Sequence, residues 1–395
     1  MENFSFKNPT DIRFGKDRID SELRDVIISF GKNVLLVYGG QSVKRSGLYD
    51  RVIKALDGLN IIELPGIEPN PKIDSVRKGQ QLVKDNNIDV ILAVGGGSVI
   101  DASKVIGSAR YYEGDPWDLV LDSAKRMTLN QLPLVDILTL SATGSEMNRG
   151  SVISNPETHQ KFGTGGPNTP AVSFLDPSLT FTVPTRQTAA GSMDIMSHLI
   201  EQYFDRSINN DVSKGLIEGL MRSVIKWAPV AIKEPDNYDA RANLMWNATM
   251  ALNGIVGLGD VNNWTVHPME HELSAYYDIT HGVGLGILTP RWLKAVQKDP
   301  STHELLARFA KNVWGINNSD EDEAGSEAIK ETYNWISSLG FEMTLPEVGI
   351  KDETNFDAMA ESAVTTGDLS KNGYIKLTPE DVKNIYRDSM TPENF

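Results

Sequence analysis

The sequence predicts an α/β domain with a parallel sheet over residues 1–183, followed by an all-α domain over residues 184–395. Up to about Pro184, short runs rich in β-branched residues alternate with helical runs, a pattern typical of a parallel sheet that helices cover on both faces. After Pro184, apolar residues recur at helical spacing with little β-branched clustering. A chain of 395 residues is long enough for two such domains.

The elements follow from apolar runs that end in glycine, proline or polar residues. In the first domain, strands are predicted at 32–40, 60–66, 88–98 and 132–140, with three shorter strands between 150 and 176. Single helices are predicted between them at 41–58, 71–87 and 99–112. In the second domain, the helical runs are 186–204, 223–233, 240–256, 304–316 and 328–340.

Composition limits the classes of partner and site. The formal net charge of −15 is unfavourable for nucleic-acid binding, which needs a concentrated basic surface. The chain has no cysteine, so disulfides and thiolate nucleophiles are excluded, and any metal site must use nitrogen and oxygen ligands. No apolar run approaches the roughly 20 residues of a bilayer span, and the start does not resemble a signal peptide. We therefore expect a cytoplasmic protein with no membrane partner.

Three glycines, Gly95, Gly96 and Gly97, stand between a predicted strand and a predicted helix in "AVGGGSVIDASK". Glycines at such a position let the backbone approach a ligand closely, and the N–H groups that open the helix favour an anion such as a pyrophosphate. The pattern is neither G-x-G-x-x-G nor a P-loop, so a strand-to-helix turn without a ligand is the alternative.

A second polar loop, "LTLSATGSEMN", also follows a predicted strand and carries the hydroxyl groups of Thr139, Ser141, Thr143 and Ser145. Hydroxyl groups suit hydrogen bonding to phosphate, ribose or an amide, although "TGSE" also fits a helix N-cap. Two polar loops at the carboxyl ends of strands in one sheet are typical of a nucleotide-binding crevice.

The loop after the first long strand reads "VYGGQSVKRSG" and contains Gly39, Gly40 and Ser42. Sites for NAD often place an acidic residue near this point, where it accepts hydrogen bonds from the ribose 2′-hydroxyl. A carboxylate would repel a 2′-phosphate, whereas small and hydroxyl groups with the nearby Lys44 would admit one. The sequence therefore favours NADP over NAD.

Three of the six histidines lie in the short segment "HPMEHELSAYYDITHG". Upstream, "MDIMSH" places Asp194 and His198 four residues apart, on one face of a predicted helix. Together with His267 and His281, this pair would form a set of nitrogen and oxygen ligands. Such a set suits Fe²⁺, Zn²⁺ or Mn²⁺ with one position open for substrate.

Local spacing leaves alternatives open at these residues. The upstream aspartate–histidine pair can equally be a packing feature. His267 and His271 form a second candidate pair, because they too are four residues apart. His159 and His303 have no partner in the sequence, and we predict no metal-binding role for either.

The chain resembles the iron-containing (group III) alcohol dehydrogenases, and most closely the branch of NADPH-dependent butanol dehydrogenases and aldehyde reductases. The resemblance is carried by "GGGSVIDASK", "LSATGSEMN", "DIMSHLIEQYF" and "HPMEHELSAYYDITHG", with "GIEPNP" and "LTPRW" in support. It runs from the first strand to the last helices. It implies a dehydroquinate synthase-like fold, in which a Rossmann-like domain binds a dinucleotide and an all-α domain binds the metal and carries out catalysis.

The resemblance also implies roles for individual residues of this chain. The implied metal ligands are Asp194, His198, His267 and His281. His271 corresponds to a histidine near the metal and is the candidate catalytic residue, as part of a proton relay. The implied cofactor-binding residues are Gly39, Gly40, Ser42, Asn70, Gly95, Gly96, Gly97, Ser98, Asp101, Thr139, Thr143, Ser145 and Lys161.

The activity that the resemblance implies is hydride transfer between NADP(H) and a small primary alcohol or aldehyde, such as butanol or butyraldehyde. It implies a divalent metal, Fe²⁺ before Zn²⁺, and a homodimer. One alternative is a member that prefers NAD(H), because Gln41 stands where a third glycine is common. Another is a nucleotide- or metal-binding sensor without turnover. A lyase or a polyol-phosphate dehydrogenase would need basic residues beside the histidine segment, and no such cluster flanks it.

Overall fold

The computed structural model describes residues 1–207, 209–261 and 264–393 and divides into two compact units. The α/β unit comprises Lys7–Val183 and Pro235–Asn253. The helical unit comprises Met1–Phe6, Pro184–Glu234 and Gly254–Phe395. The division into domains at residues 183 and 184 stays a prediction, since these compact units group residues 1–6 and 235–253 differently.

A six-stranded sheet, parallel throughout, forms the centre of the α/β unit, as the alternation of strands and helices predicts. The strands of the unit are β1 (Asp11–Phe14), β2 (Asn33–Tyr38), β3 (Asn60–Leu64), β4 (Val90–Gly95), β5 (Leu134–Leu138), β6 (Gly150–Asn155), β7 (Gln160–Gly165) and β8 (Val172–Leu175). The order across the sheet is β1-β8-β5-β4-β2-β3, and β6 and β7 form a separate antiparallel hairpin.

Helices cover both faces of the sheet, so its central strands are buried and read as continuous apolar runs. The helices of this unit are α1 (Arg18–Phe30), α2 (Ser42–Arg45), α3 (Leu48–Ala55), α4 (Ile73–Asp85), α5 (Gly97–Ala109), α6 (Pro116–Leu121), α7 (Ser123–Met127) and α10 (Tyr238–Leu252). Alternate residues of β2 join different cores: Leu35 and Val37 join one, and Val34 and Leu36 join the other.

The predicted single helix over residues 41–58 is wrong, because the structure has two helices there, α2 and α3. Gly47 lies between them with φ of +76°, in the left-handed region that glycine adopts without strain. The apolar spacing continues through this point, which is why the sequence pattern alone indicates one helix.

The strand order changes direction between β2 and β4: β3 lies on one side of this pair, and β5, β8 and β1 lie on the other. In doubly wound sheets, ligands bind at the carboxyl ends of the strands that flank such a switch point. The loop after β2 and the loop after β4 are the two predicted glycine loops. The topology therefore places both of them at the position where a nucleotide crevice is expected.

The helical unit is built around a helix that is buried on all sides. Its helices are α8 (Thr185–Tyr203), α9 (Asp211–Lys233), α11 (Val266–Tyr277), α12 (His281–Gln297), α13 (His303–Phe309), α14 (Glu321–Ser338), α15 (Phe356–Thr366) and α16 (Pro379–Asp388). In α8, every residue from Thr188 to Tyr203 is buried, so polar side chains of this helix must find partners inside the unit. Among the described residues, no helix is long and apolar enough to cross a membrane.

Candidate metal centre and cofactor loops

Three helices of the helical unit bring the four predicted metal ligands together. Asp194 and His198 lie one turn apart on the buried helix α8. His267 is the second residue of α11, and His281 is the first residue of α12. Residues at the start of a helix are held by a rigid element, so their side chains have a defined direction.

Asp194 Oδ1 is the atom on which the three imidazoles converge. It lies 3.6 Å from His198 Nε2, 3.8 Å from His267 Nε2 and 3.6 Å from His281 Nε2. Ligand atoms held about 2.0–2.2 Å from one tetrahedral cation are about 3.3–3.6 Å from each other. The three histidine nitrogens therefore lie at nearly the distance from Asp194 Oδ1 that ligands of one divalent ion have from each other. The ligand atoms of Asp194, His267 and His281 also all lie within 4.8 Å of one another, and His198 adds its nitrogen 3.6 Å from Asp194 Oδ1.

Two of these ligand atoms are buried without a hydrogen-bond partner among the described residues, namely Asp194 Oδ1 and His267 Nε2. Buried polar atoms in native proteins are nearly always satisfied, and one that is not calls for an explanation. A divalent cation would satisfy both atoms together. The donor set also has the chemistry that Fe²⁺ and Zn²⁺ accept, so the residues present fit a metal.

The charges at this site support the same conclusion. Burial would raise the pKa of Asp194, but the neighbouring imidazoles hold it well below its usual value, so the carboxylate is ionised. Burial lowers the pKa of His198 to about 4, which leaves a neutral imidazole. Burial also acts to lower the pKa of His267, but Glu201 and Asp194 raise it to about 9. A cation that binds here must therefore displace a proton from His267.

Two glutamates that sequence reasoning missed lie against the ligand histidines. Glu201 contacts His267 Nδ1, and Glu270 contacts His281 Nδ1, each through a short hydrogen bond. A histidine that ligates a metal through one nitrogen usually donates its other N–H to a carboxylate, a carbonyl or water. That rule, applied to the "SHLIE" and "HPMEH" segments, is the signal that could have drawn attention to both glutamates.

Glycines at the start of α12 allow this helix to approach the site closely. A Cβ atom on Gly282 would lie 2.0 Å from the backbone oxygen of Ala190 in α8. A Cβ atom on Gly284 would lie 2.8 Å from Cγ of Glu270. Both distances are too short for any other residue without movement, so the "HGVG" sequence is part of what holds His281 near Asp194.

His271 lies one turn after His267 on α11, beside the ligand histidines. Its ring centroid is 6.2 Å from that of His267 and 5.7 Å from that of His281. A second group that could hold a metal is formed by Glu270, His271 and His281, alongside the group of Asp194, His267 and His281. The group with Glu270 shares His281 with the group of Asp194, but it uses the glutamate that already contacts the Nδ1 atom of His281.

In the α/β unit, the predicted cofactor loop after β4 packs directly against the predicted cofactor loop after β5. The backbone N–H of Thr139 donates to the oxygen of Gly95 over 3.0 Å. A Cβ atom on Gly97 would lie only 2.3 Å from Oγ1 of Thr143. Gly96 is the N-cap of α5, so the opening N–H groups of this helix, including that of Ser98, lie at the same end of the sheet.

The polar side chains behind these loops are occupied by internal hydrogen bonds. Asp101 accepts hydrogen bonds from Ser145 Oγ and from the backbone N–H of Val152. Lys104, which sequence reasoning did not single out, donates to Ser145 Oγ over 2.8 Å and to the oxygen of Gly150 over 2.8 Å. Burial lowers the pKa of Lys104 to about 8. Asp101 and Ser145 are therefore placed to support the loop, and their contact with a cofactor stays a prediction.

The first glycine loop contains no acidic side chain between Gly39 and Ser42. On the neighbouring strand β3, the carboxylate of Glu63 accepts hydrogen bonds from Tyr38 and Tyr49. The ammonium group of Lys44 lies 4.6 Å from the ring centroid of Tyr49. The exposed Gly40 and Ser42 lie in the same loop, and a Cβ atom on Gly39 would be 3.3 Å from the oxygen of Ile67.

Two predicted cofactor residues lie in other segments of the α/β unit. Asn70 is in the loop after β3 and has a φ of +48°. That loop is tied to the first glycine loop, because the N–H of Gly66 donates to the oxygen of Gly39 over 3.1 Å. Lys161 is buried on β7 of the hairpin. Their predicted contacts with the cofactor also stay predictions.

Two family models match the chain over most of its length. The model described as iron-containing alcohol dehydrogenase matches residues 9–177, and the model of the C-terminal part of the Fe-containing alcohol dehydrogenase family matches residues 188–390. The chain belongs to the iron-containing alcohol dehydrogenases. The predicted family and the predicted fold class are therefore confirmed.

Relatives within the iron-containing alcohol dehydrogenases are similar over the full chain. NADH-dependent butanol dehydrogenase A of Clostridium acetobutylicum is 48% identical, with 98% of this chain and 100% of the relative covered. NADPH-dependent aldehyde reductase YqhD of Escherichia coli is 39% identical, with 89% and 90% covered. The crystal structure of NADH-dependent butanol dehydrogenase A of Thermotoga maritima has a TM-score of 0.91 at 36% identity, with 99% of both chains covered.

The chain is thus an oxidoreductase of the alcohol dehydrogenase and aldehyde reductase type, in a family that uses a nicotinamide cofactor and iron. The names of its relatives divide between NADH and NADPH. Family membership therefore does not decide the predicted preference for NADP.

Proposed function

We propose that this protein interconverts small primary alcohols and aldehydes, such as butanol and butyraldehyde, with NADP(H) and one divalent metal ion. The observation that carries the proposal is the convergence of three imidazole Nε2 atoms on Asp194 Oδ1 at 3.6–3.8 Å. The names of relatives that are butanol dehydrogenases or aldehyde reductases support the substrate class.

Asp194, His198, His267 and His281 would hold the metal, with Fe²⁺ as the first candidate and Zn²⁺ as the second. When bound there, a divalent cation supplies a Lewis acid for the oxygen atom of the substrate. Asp194 contributes the one negative charge among the four ligands, and the histidines contribute neutral nitrogen. The burial of Asp194 and His267 excludes water from the ligands, which strengthens their electrostatic interactions.

The glycine loops would hold the cofactor, whose nicotinamide ring supplies or accepts the hydride. In this proposal the N–H groups at the start of α5 bind the pyrophosphate. Gly95 and Gly97 let the loop pack closely against the side chains of Val99 and Thr143. His271 is the proposed proton-transfer residue, because its imidazole lies beside the ligands without belonging to them. A neutral imidazole can accept the proton of an alcohol and return it to a reduced aldehyde.

The proposed preference for NADP(H) rests on the first glycine loop. No carboxylate stands between Gly39 and Ser42, so nothing there would repel a 2′-phosphate. On the adjacent strand β3, the carboxylate of Glu63 is engaged by two tyrosine hydroxyls. The alternative, a preference for NAD(H), is favoured by the names of several relatives, including the 48% identical one.

The test measures oxidation of NADPH and of NADH with butyraldehyde by protein that has been stripped with a chelator and reloaded with Fe²⁺ or Zn²⁺. We expect metal-dependent turnover with the higher kcat/KM for NADPH. Turnover with NADH alone would overturn the cofactor assignment. Tight metal binding without turnover on any of several aldehydes would favour the alternative of a sensor.

A matched pair of variants tests the cofactor assignment further. Gly39→Asp places a carboxylate in the first loop, and like-charge repulsion should lower the NADPH-to-NADH ratio of kcat/KM at least about tenfold. Gly39→Ala adds only the Cβ atom and should leave that ratio unchanged, although both variants meet the oxygen of Ile67. Equal ratios in the two variants would contradict the assignment.

The resemblance also supports a homodimer, which we propose as the assembly in solution. The short strand β1 stands at one edge of the six-stranded sheet, and Phe4 and Phe6 before it are exposed. Unpaired edge strands and exposed apolar side chains are features of surfaces that associate. Sedimentation equilibrium should therefore give a mass of two chains, and a single-chain mass would contradict the proposal.

A further inference from the structure

We propose that Glu201 and Glu270 are positioning residues that fix the tautomers of two ligand histidines, and that the two glutamates differ in how strictly they do so. Each carboxylate accepts the Nδ1–H of one histidine, so that Nε2, the atom that faces Asp194, is the nitrogen left to bind the metal. The inference rests on the metal-dependent function proposed above and names residues that the metal site requires without being its ligands.

The tautomer matters because only an unprotonated nitrogen can bind a metal ion. A neutral histidine carries its single ring proton on either Nδ1 or Nε2, and a hydrogen-bond partner selects which. Glu201 meets His267 at Nδ1, and Glu270 meets His281 at Nδ1. Since an ionised carboxylate only accepts hydrogen bonds, both contacts place the proton on Nδ1 and leave Nε2 available.

Glu201 has no freedom to reverse these hydrogen bonds. Its Oε2 atom accepts from the backbone N–H groups of Thr265 and Val266, over 2.5 and 2.7 Å, at the start of α11. Backbone N–H groups can only donate. The same carboxylate therefore caps the start of α11 and selects the tautomer of the histidine in its first turn.

Glu270 has a different second partner. Its other oxygen, Oε1, meets the hydroxyl group of Ser274, which can donate or accept a hydrogen bond. The carboxylate is fully buried, and Gly284 leaves space for it. The direction of the Ser274 contact is therefore open, unlike that of the backbone N–H contacts of Glu201.

Replacement of each glutamate by glutamine should have opposite effects on the two ligand histidines. In Glu201→Gln, the amide oxygen must face the backbone N–H groups, so the NH₂ group faces His267 and forces its proton onto Nε2. In Glu270→Gln, the NH₂ group can donate to Ser274 Oγ while the amide oxygen still accepts from His281. The same chemical change should therefore damage one ligand and spare the other.

The experiment measures the dissociation constant for Zn²⁺ of the full-length, metal-stripped chain by competition with a chromogenic chelator. Glu201→Gln should bind Zn²⁺ about 100-fold more weakly than the unsubstituted protein, while Glu270→Gln should stay within about threefold. Glu270→Leu, which removes the acceptor altogether, should weaken binding by about 10- to 100-fold. The matched control is Glu218→Gln, since this buried glutamate of α9 bonds to Tyr203 and Arg308 rather than to a histidine.

A spectroscopic readout separates a change of tautomer from a general loss of structure. In spectra of the protein labelled with ¹⁵N-histidine, His267 of metal-stripped Glu201→Gln should carry its proton on Nε2. The inference is overturned if Glu201→Gln binds Zn²⁺ as tightly as Glu270→Gln, or if Glu270→Leu binds as tightly as Glu270→Gln. This second comparison decides the matter if Glu201→Gln does not fold. An unsubstituted protein that takes up no Zn²⁺ would overturn the proposed metal site itself.

Discussion

The metal centre and the cofactor loops use the same chain in contrasting ways. At the proposed metal centre, three imidazoles converge on Asp194 Oδ1, and this atom and His267 Nε2 are buried without a hydrogen-bond partner among the described residues. At the cofactor loops, the polar side chains of Asp101 and Ser145 are already bonded to each other. We propose that these loops bind a ligand chiefly through the backbone N–H groups at the start of α5.

This difference explains why the sequence predicts individual side chains at the proposed metal centre but mainly segments of backbone at the proposed cofactor loops. A metal site depends on rare residue types, so the histidine segment and the Asp194–His198 spacing indicate where the proposed one lies. A dinucleotide site depends on N–H groups at strand ends, which every residue has, so glycines mark its place without giving the role of any side chain. The comparison also predicts that substitutions will have different consequences in the two regions.

The largest effect is expected from removal of a ligand imidazole. His198→Gln should lower metal affinity and metal-dependent turnover by more than about 100-fold. Substitution of a residue that only holds a ligand in place typically costs up to about 100-fold. His303→Gln is the control, because this histidine contacts only the oxygen of Gln297 and Asp322 in the structure described. Metal content by elemental analysis would decide, and full occupancy in His198→Gln would contradict the ligand assignment.

A smaller but still large effect is expected at the helix contact that supports the metal centre. In Gly282→Ala, the new Cβ atom would lie 2.0 Å from a backbone oxygen that no side-chain rotation can move. We expect the free energy of unfolding to fall by at least about 3 kcal/mol, at the upper end of overpacking effects. Gly215→Ala in α9 meets nothing within 4 Å and should stabilise the helix by about 0.5–1 kcal/mol. Equal stabilities in urea unfolding would show that α8 and α12 are not packed this closely.

The corresponding substitution in the cofactor loops should have a milder effect on stability. In Gly97→Ala, the Cβ atom would lie 2.3 Å from Thr143 Oγ1, a side-chain atom that can rotate away. We expect a loss of about 1–3 kcal/mol together with a raised KM for the nicotinamide cofactor and an unchanged affinity for metal. Gly163→Ala, which meets nothing within 4 Å, is the control. A lowered metal affinity in Gly97→Ala would argue against the separation of the two sites.

The smallest effect concerns a carboxyl group of α11 that belongs to neither site. Burial raises the pKa of Glu272 from 4.5 to about 7, and among the described residues Ser362 donates a hydrogen bond to its carboxylate. Because the folded-state pKa is raised, the unfolded chain ionises first as the pH rises, and stability is lost between about pH 4.5 and 7. Glu272→Gln cannot ionise, so it should stabilise the protein at pH 8, by at most about 3 kcal/mol, and much less at pH 5. Urea unfolding at both pH values checks this, and equal effects at the two would contradict it.

Much of the fold was predictable because strands and helices alternate with clear periodicity. Strands β2, β4 and β5 fall inside the predicted runs, and α8 falls within one residue of its predicted span. The break at Gly47 was not predictable from apolar spacing, since it depends on one left-handed residue. The helical spacing of apolar residues in α10 also did not show that this helix would group with the α/β unit, because that depends on which surface its apolar face covers.

At the candidate sites, sequence reasoning predicted residues that could bind a metal or a cofactor, but it did not predict the side chains that hold those residues in place. Glu201 and His267 are 66 positions apart, so their contact arises only when α8 and α11 pack together. Lys104 was overlooked for a similar reason, since a lysine on a helix is usually exposed and this one is fully buried. Partners that depend on tertiary packing leave no local pattern in the chain.

The most direct test of the central claim is the anomalous-difference map of a crystal loaded with Fe²⁺ or Zn²⁺, recorded at the absorption edge of that metal. We expect one peak about 2.0–2.2 Å from Asp194 and from the Nε2 atoms of His198, His267 and His281. A peak held instead by Glu270, His271 and His281, the second group that could bind a metal, would contradict the account, and so would the absence of any peak among these residues.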